Sequence, residues 1–155
     1  MPFRFLGLSP SQFETLFALD DAELAARNIH RMIVDHKPGY PCRISLEDAE
    51  PGERVLLLSY EHQSASSPFR ASGPIFVREH ARETYDRRGK VPAVLCGRVL
   101  SVRAYDAQNM IVEAGVVEGA EVEGTLDKFF ERPDTDYIHI HFASRGCYAC
   151  RVERA

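Results

Sequence analysis

The sequence lacks any apolar run long enough to serve as a secretory leader or to cross a bilayer. The default expectation is a soluble cytoplasmic protein with no membrane partner. It also lacks a basic excess: the formal net charge is -4, so there is no electrostatic footprint for nucleic acid or an anionic membrane. Lysine is scarce, being confined to Lys37, Lys90 and Lys128 among 19 lysines and arginines. The arginine excess suits planar carboxylate or phosphate recognition, although biased codon usage produces the same composition. Four cysteines in 155 residues are too few for a disulfide framework and are expected as thiols. There is no internal repeat, low-complexity tract or linker. No GxSxG, HExxH or Walker pattern occurs, so no motif names a reaction or a cofactor.

What is present is an ordinary globular composition, 45% hydrophobic and 27% charged, at a length that suits one domain spanning residues 1–155. "FRFLGL" reads as a short first strand. Ser9-Pro10-Ser11-Gln12 reads as an N-cap, a proline at N1 and a capping-box glutamine, with Leu8 and Phe13 as a hydrophobic staple. Asp20 to Glu23 repeats the scheme with Leu19 and Leu24. Two short helices are therefore expected over 10–18 and 21–28. "IHRMIV" (29–34) is a strand, followed by the long irregular stretch "DHKPGYPCRISLEDAEPGE". A loop of that length commonly binds something or hides a short element. Within it, "HKPGYPC" is first a turn, which leaves Cys42 a remote fourth ligand only in a metal reading. "RVLLLSY" (54–60) is apolar without alternation, as in a central strand covered on both faces. "PIFVRE" is a further strand, and 80–92 is charged and irregular. "GRVLSVRAYD" and "NMIVEAGVV" form a hairpin turning near Asp106 to Asn109. In "GAEVEGTLDKFFER", Val122, Leu126, Phe129 and Phe130 share one helical face and Pro133 closes the helix. The sum is α+β: a mostly antiparallel β-sheet with two short N-terminal helices and one helix before a C-terminal β-hairpin.

That hairpin, "YIHIHFASRGCYACRVER", carries the unusual chemistry. A three-residue loop Ser144-Arg145-Gly146 pairs Ala143 with Cys147, Phe142 with Tyr148, His141 with Ala149 and His139 with Arg151. Ile138, Ile140, Phe142, Tyr148, Cys150 and Val152 then face the core. His139, His141, Ala143, Cys147, Ala149 and Arg151 share the other face. The CxxC is split between faces, so Cys150 is a core residue and not a partner of Cys147. A one-residue slip in register inverts the assignment.

Three readings follow. In the leading one, a small anionic ligand binds over His139, His141, Cys147 and Arg151, with Tyr60, His62 and Arg78 contributed from the strands before and after the long loop at 63–73. Arginines supply charge, histidines hydrogen-bond or move protons, and Cys147 is a reactive thiol. In the second, His139, His141 and a third ligand, Cys147 or His62, hold a metal for catalysis; Arg151 on that face opposes a cation. In the third, the face is ordinary solvated sheet and the protein is a non-enzymatic interaction module. Whether the protein is an enzyme, and its oligomeric state, stay open.

"HKPGYPCRISLEDAEPGERVLLLSYEHQ", "SPFRASGPIFVRE", "VLSVRAYD" and "IHIHFASRGCYACRVER" occur in this order. Together they resemble a bacterial family known as domain of unknown function 1203. The resemblance spans nearly the whole chain, implies one complete domain, and brings no activity or site residue with it.

Overall fold

A computed structural model describes residues 2–155. The strands are β1 (Phe3–Leu6), β2 (His30–Ile33), β3 (Arg54–Gln63), β4 (Ala71–Arg78), β5 (Asp86–Arg88), β6 (Val99–Tyr105), β7 (Ile111–Glu118), β8 (Tyr137–Phe142) and β9 (Tyr148–Arg154). The helices are α1 (Glu14–Phe17), α2 (Asp21–Ala26) and α3 (Val122–Phe130). The strands form two sheets, not one: a six-stranded sheet ordered β5-β1-β9-β8-β6-β7 and a three-stranded sheet ordered β2-β3-β4. Every strand pairing in both is antiparallel.

Each sheet has its own core, because each has one apolar face to bury. On the large sheet, alternate residues Leu100, Val102, Ala104, Ile138, Ile140, Cys150 and Val152 meet Val122, Leu126, Phe129 and Phe130 of α3. Those four helical positions are all buried, so the stripe expected from the sequence is the one that packs. On the small sheet, Leu56, Leu58, Ile75 and Val77 pack under Phe13 and Leu24. Val55, on the opposite face of β3, packs with Val34, Tyr40 and Ala49, so this strand is covered on both faces at its start.

The N-terminal caps have distinct outcomes. Asp20 and Glu23 form a complete capping box. Ser9 caps a single 3-10 turn at Pro10–Gln12, but Gln12 does not close a box; its side-chain oxygen accepts from the Tyr60 hydroxyl at 2.9 Å. The charged stretch 80–92 contains β5, three exposed residues held to β1 by backbone pairing.

The C-terminal hairpin departs from the expected register. His139 pairs with Arg151 and Ile140 with Cys150, but His141 pairs with Tyr148, leaving Ala149 as an extra residue in a β-bulge. The Phe142 N–H donates to the Cys147 carbonyl at 2.9 Å, and the Gly146 N–H to the Phe142 carbonyl at 2.8 Å, so the turn holds one more residue than expected. Gly146 takes the left-handed position as expected, with φ 79°. The bulge changes the face of three residues. Tyr148, expected in the core, stands with the histidines. Cys147 and Ala149, expected beside the histidines, pack on the core side of the sheet.

Candidate functional site

The sequence singled out seven residues, and the structure distributes them over four places. His62, His139 and His141 meet in the seam where the C-terminal half of β3 crosses the large sheet. Arg151 borders that seam. Cys147 lies in a cleft on the other side of the hairpin. Tyr60 and Arg78 belong to the small sheet.

The histidine seam is aromatic and largely buried, with His62 only half-buried. His139 is 3% exposed and His141 is 1% exposed. The ring of His62 stacks on Tyr148 at 5.4 Å and meets His141 edge-on at 4.9 Å. The His139 ring lies 5.1–5.2 Å from those of Tyr105, Tyr137 and Tyr148. Burial, reinforced by Arg151 and the neighbouring histidines, pushes His139 down to about 2. Burial also pushes His141 down to about 4, against the Gly146 carbonyl, which favours its charged form. His62 is lowered by burial and by Arg103. All three are therefore neutral at pH 7.

His141 is fully engaged. Its Nδ1–H donates to the Gly146 carbonyl at 2.9 Å, and its Nε2 faces the Arg103 guanidinium at 3.4 Å. Buried Nδ1 atoms of His62 and His139 have no hydrogen-bond partner. The set His139, His141 and Cys147 does not converge, because the bulge puts the thiol on the opposite face of the sheet. Among the described residues, no three His, Cys, Asp or Glu side chains group to hold a metal ion.

Other sequence-derived candidates have structural partners. Arg151 lies 4.0 Å over the Tyr137 ring and pairs with Glu153 at 2.7 Å. Arg78 is forked onto Glu53 at 2.8 and 3.0 Å and touches Ser45. Tyr60 leans on Phe13.

A larger concave site lies elsewhere. A cleft of about 510 Å³ opens between the β3–β4 face and the β8–β9 turn. Leu57, Pro74, Phe76 and Phe142 give it apolar walls; Arg43, Arg98, Arg145 and Cys147 give it polar ones, and no acidic residue lines it. Its volume is within the range of small-molecule sites.

Arg43 is the residue that sequence reasoning passed over. It sits in the long stretch after β2, where Cys42, Ile44 and Leu46 are wholly buried and fix the segment. Its N–H donates to the Phe76 carbonyl at 3.0 Å, which anchors it to β4. Its side chain crosses to the large sheet, donating from Nε to the Tyr148 carbonyl at 2.8 Å, from Nη1 to the Pro41 carbonyl and from Nη2 to Cys147 Sγ at 3.3 Å. It is 2% exposed, and among the described residues no carboxylate pairs with it. Burial pushes its guanidinium below the ordinary arginine value, while the Cys147 and Cys42 sulfurs work in the opposite sense. Arg98 differs: Asp48 neutralises it with bonds of 2.7 and 3.0 Å. Both guanidiniums flank the Phe142 ring, at 5.1 and 5.2 Å. Exposed Arg145, on the turn, completes the rim. A signal for Arg43 existed in "PCRISL": an arginine inside a run that alternates buried apolar residues.

Fold and site together define a two-sheet α+β domain with a cationic, acid-free cleft at one end of its C-terminal hairpin. Residues 39–154 match the family described as "Protein of unknown function (DUF1203)", and the chain belongs to that family. The matched span contains both the seam and the cleft. No curated protein and no solved structure matches the chain.

Proposed function

We propose that this protein binds a small anionic ligand in the cleft lined by Arg43, Arg145 and Cys147. The observation that carries the reading is Arg43, a buried cation without an acidic partner, at the wall of a cavity that contains no carboxylate. Burying an unpaired charge costs several kcal/mol, on the order of the desolvation of one ion, so an anion arriving at that wall recovers stabilisation. The apolar walls suit a ligand with a hydrocarbon or aromatic portion beside its charged group. The long segment 39–43 supplies one wall, which gives that loop a role. No helix among the described residues is long and apolar enough to cross a membrane. Four unpaired thiols fit a reducing compartment, and we place the protein in the cytoplasm.

The test is a thermal-shift and calorimetric screen with citrate, succinate, benzoate and inorganic phosphate, each against an uncharged analogue of similar size. At least one anion is expected to raise the melting temperature, and Arg145→Ser is expected to weaken that effect about tenfold in Kd, the loss of one charge-assisted hydrogen bond. If no anion binds, or if Arg145→Ser and Arg43→Lys bind as tightly as the parent, the proposal is wrong.

A further inference from the structure

We infer that Cys147 is a site of mixed-disulfide formation with anionic low-molecular-weight disulfides, selected by the arginines around it. The inference rests on the cleft being an anion site and adds covalent chemistry to it.

The four cysteines stand in different surroundings. Cys42 and Cys150 are 0% exposed and out of reach of any reagent; burial also raises Cys150 to about 12. Cys96 is exposed, its thiol lies 4.0 Å from the Pro92 carbonyl, and it does not line the cleft. Cys147 alone is partly exposed, lines a cavity, and has a guanidinium 3.3 Å from its sulfur. Reactive thiols occupy such electropositive, partly open positions.

Arg43 makes this more than a lone cysteine. Its guanidinium carries five N–H donors in general, and three acceptors are assigned to it here: two carbonyls and the Cys147 sulfur. A bound disulfide with a carboxylate on either arm would place that carboxylate against Arg43 or Arg145. Its sulfurs would then lie near Sγ.

The exchange balances without another reagent. The Cys147 thiol gives its proton to solvent and its sulfur attacks one sulfur of the incoming disulfide. The ligand S–S bond breaks as the Sγ–S bond forms. The second half leaves as a thiolate with the bonding electron pair. Cys147 is oxidised and the disulfide, which is the oxidant, is reduced. The adduct carries a negative group next to the buried cation.

The experiment labels full-length protein with 5,5′-dithiobis(2-nitrobenzoate), a dianionic disulfide, and with neutral 4,4′-dithiodipyridine. Peptide mass spectrometry follows Cys147 and Cys96 separately. With the dianionic probe Cys147 is expected to react about tenfold or more faster than Cys96, a modest local steering effect. With the neutral probe that ratio is expected to fall toward one. Arg145→Ser, on the exposed turn, is expected to slow the dianionic probe more than the neutral one and so to reduce the dianion preference. Equal rates at Cys147 and Cys96, or an equal preference with both probes, would overturn the inference. Benzoate binding to Cys147→Ser is read in parallel by thermal shift. Persistent binding without a labelling preference overturns the exchange chemistry alone. Loss of both overturns the anion site as well.

Discussion

Arg43 holds three acceptors from two parts of the chain at once, a task that needs the planar fork of an arginine. Its buried charge is a liability for folding, and in the proposed function it is what an anion would neutralise. The two sides can be separated by substitution. Arg43→Met keeps the length and apolar packing on Phe142 but strands the Pro41 and Tyr148 carbonyls. An unsatisfied buried acceptor costs about 1–3 kcal/mol, and relief of the desolvated cation offsets part of that. Arg43→Met is therefore expected to lower unfolding free energy by about 1–3 kcal/mol in urea titrations at pH 7. Anion binding should be lost in the same protein. A variant that stays as stable as the parent and still binds anions would show that the guanidinium has neither role.

At the scale of elements, the turn and bulge of the last hairpin decide which residues reach the cleft. Gly146 has φ 79° and nothing within 4 Å of a built Cβ, so Gly146→Ala carries only backbone strain, about 1–2 kcal/mol. Gly119 has an ordinary backbone, but a Cβ there would lie 1.8 Å from the Leu95 carbonyl oxygen. That oxygen belongs to main chain and cannot swing away. Gly119→Ala is expected to destabilise more than Gly146→Ala, by urea midpoint, and the reverse order would contradict the packing between the 93–98 turn and the entry to α3. The sequence made α3, the β6–β7 hairpin and the Asp20 capping box legible because their signals are local: a helical stripe, a turn between alternating runs, a polar residue three before a glutamate. It left the bulge hidden. "CYAC" carries no glycine or turn residue. On the histidine face Tyr148 stacks on the ring of His62, which arrives from a strand more than eighty residues earlier in the chain and so leaves no local signal. The second sheet was hidden for the same reason, since strand patterns show faces but not which strands share a ladder. Cys147 lies apart from the histidines with which the sequence grouped it: its hydrogen-bond partner is Arg43, not His141.

Across the whole molecule, the buried histidines set a pH limit on the fold. In the unfolded chain a histidine titrates near its ordinary value of about 6.5. In the native seam His139 is held at about 2 and His141 at about 4. As pH falls below the unfolded value, the unfolded chain takes up protons that the native seam refuses. Stability is therefore complete above about pH 6.5 and declines with acidification until the folded values are passed. Over 1.5 pH units, each histidine contributes a loss of about 2 kcal/mol at pH 5. His62, lowered by burial and Arg103, adds in the same direction. Glu53 is lowered from 4.5 by its Arg78 pairing despite burial, so its contribution is lost at more acidic pH and leaves the window between 5 and 6.5 to the histidines. Urea titrations at pH 7.5 and 5 are expected to differ by about 4 kcal/mol in the parent. His139→Phe places an aromatic ring of similar shape among Tyr105, Tyr137 and Tyr148 and removes the unpartnered Nδ1. It is expected to halve the difference while remaining folded at pH 7.5. An unchanged pH difference in that variant would mean that His139 is not the group refusing the proton, and the buried seam would lose its account of acid sensitivity.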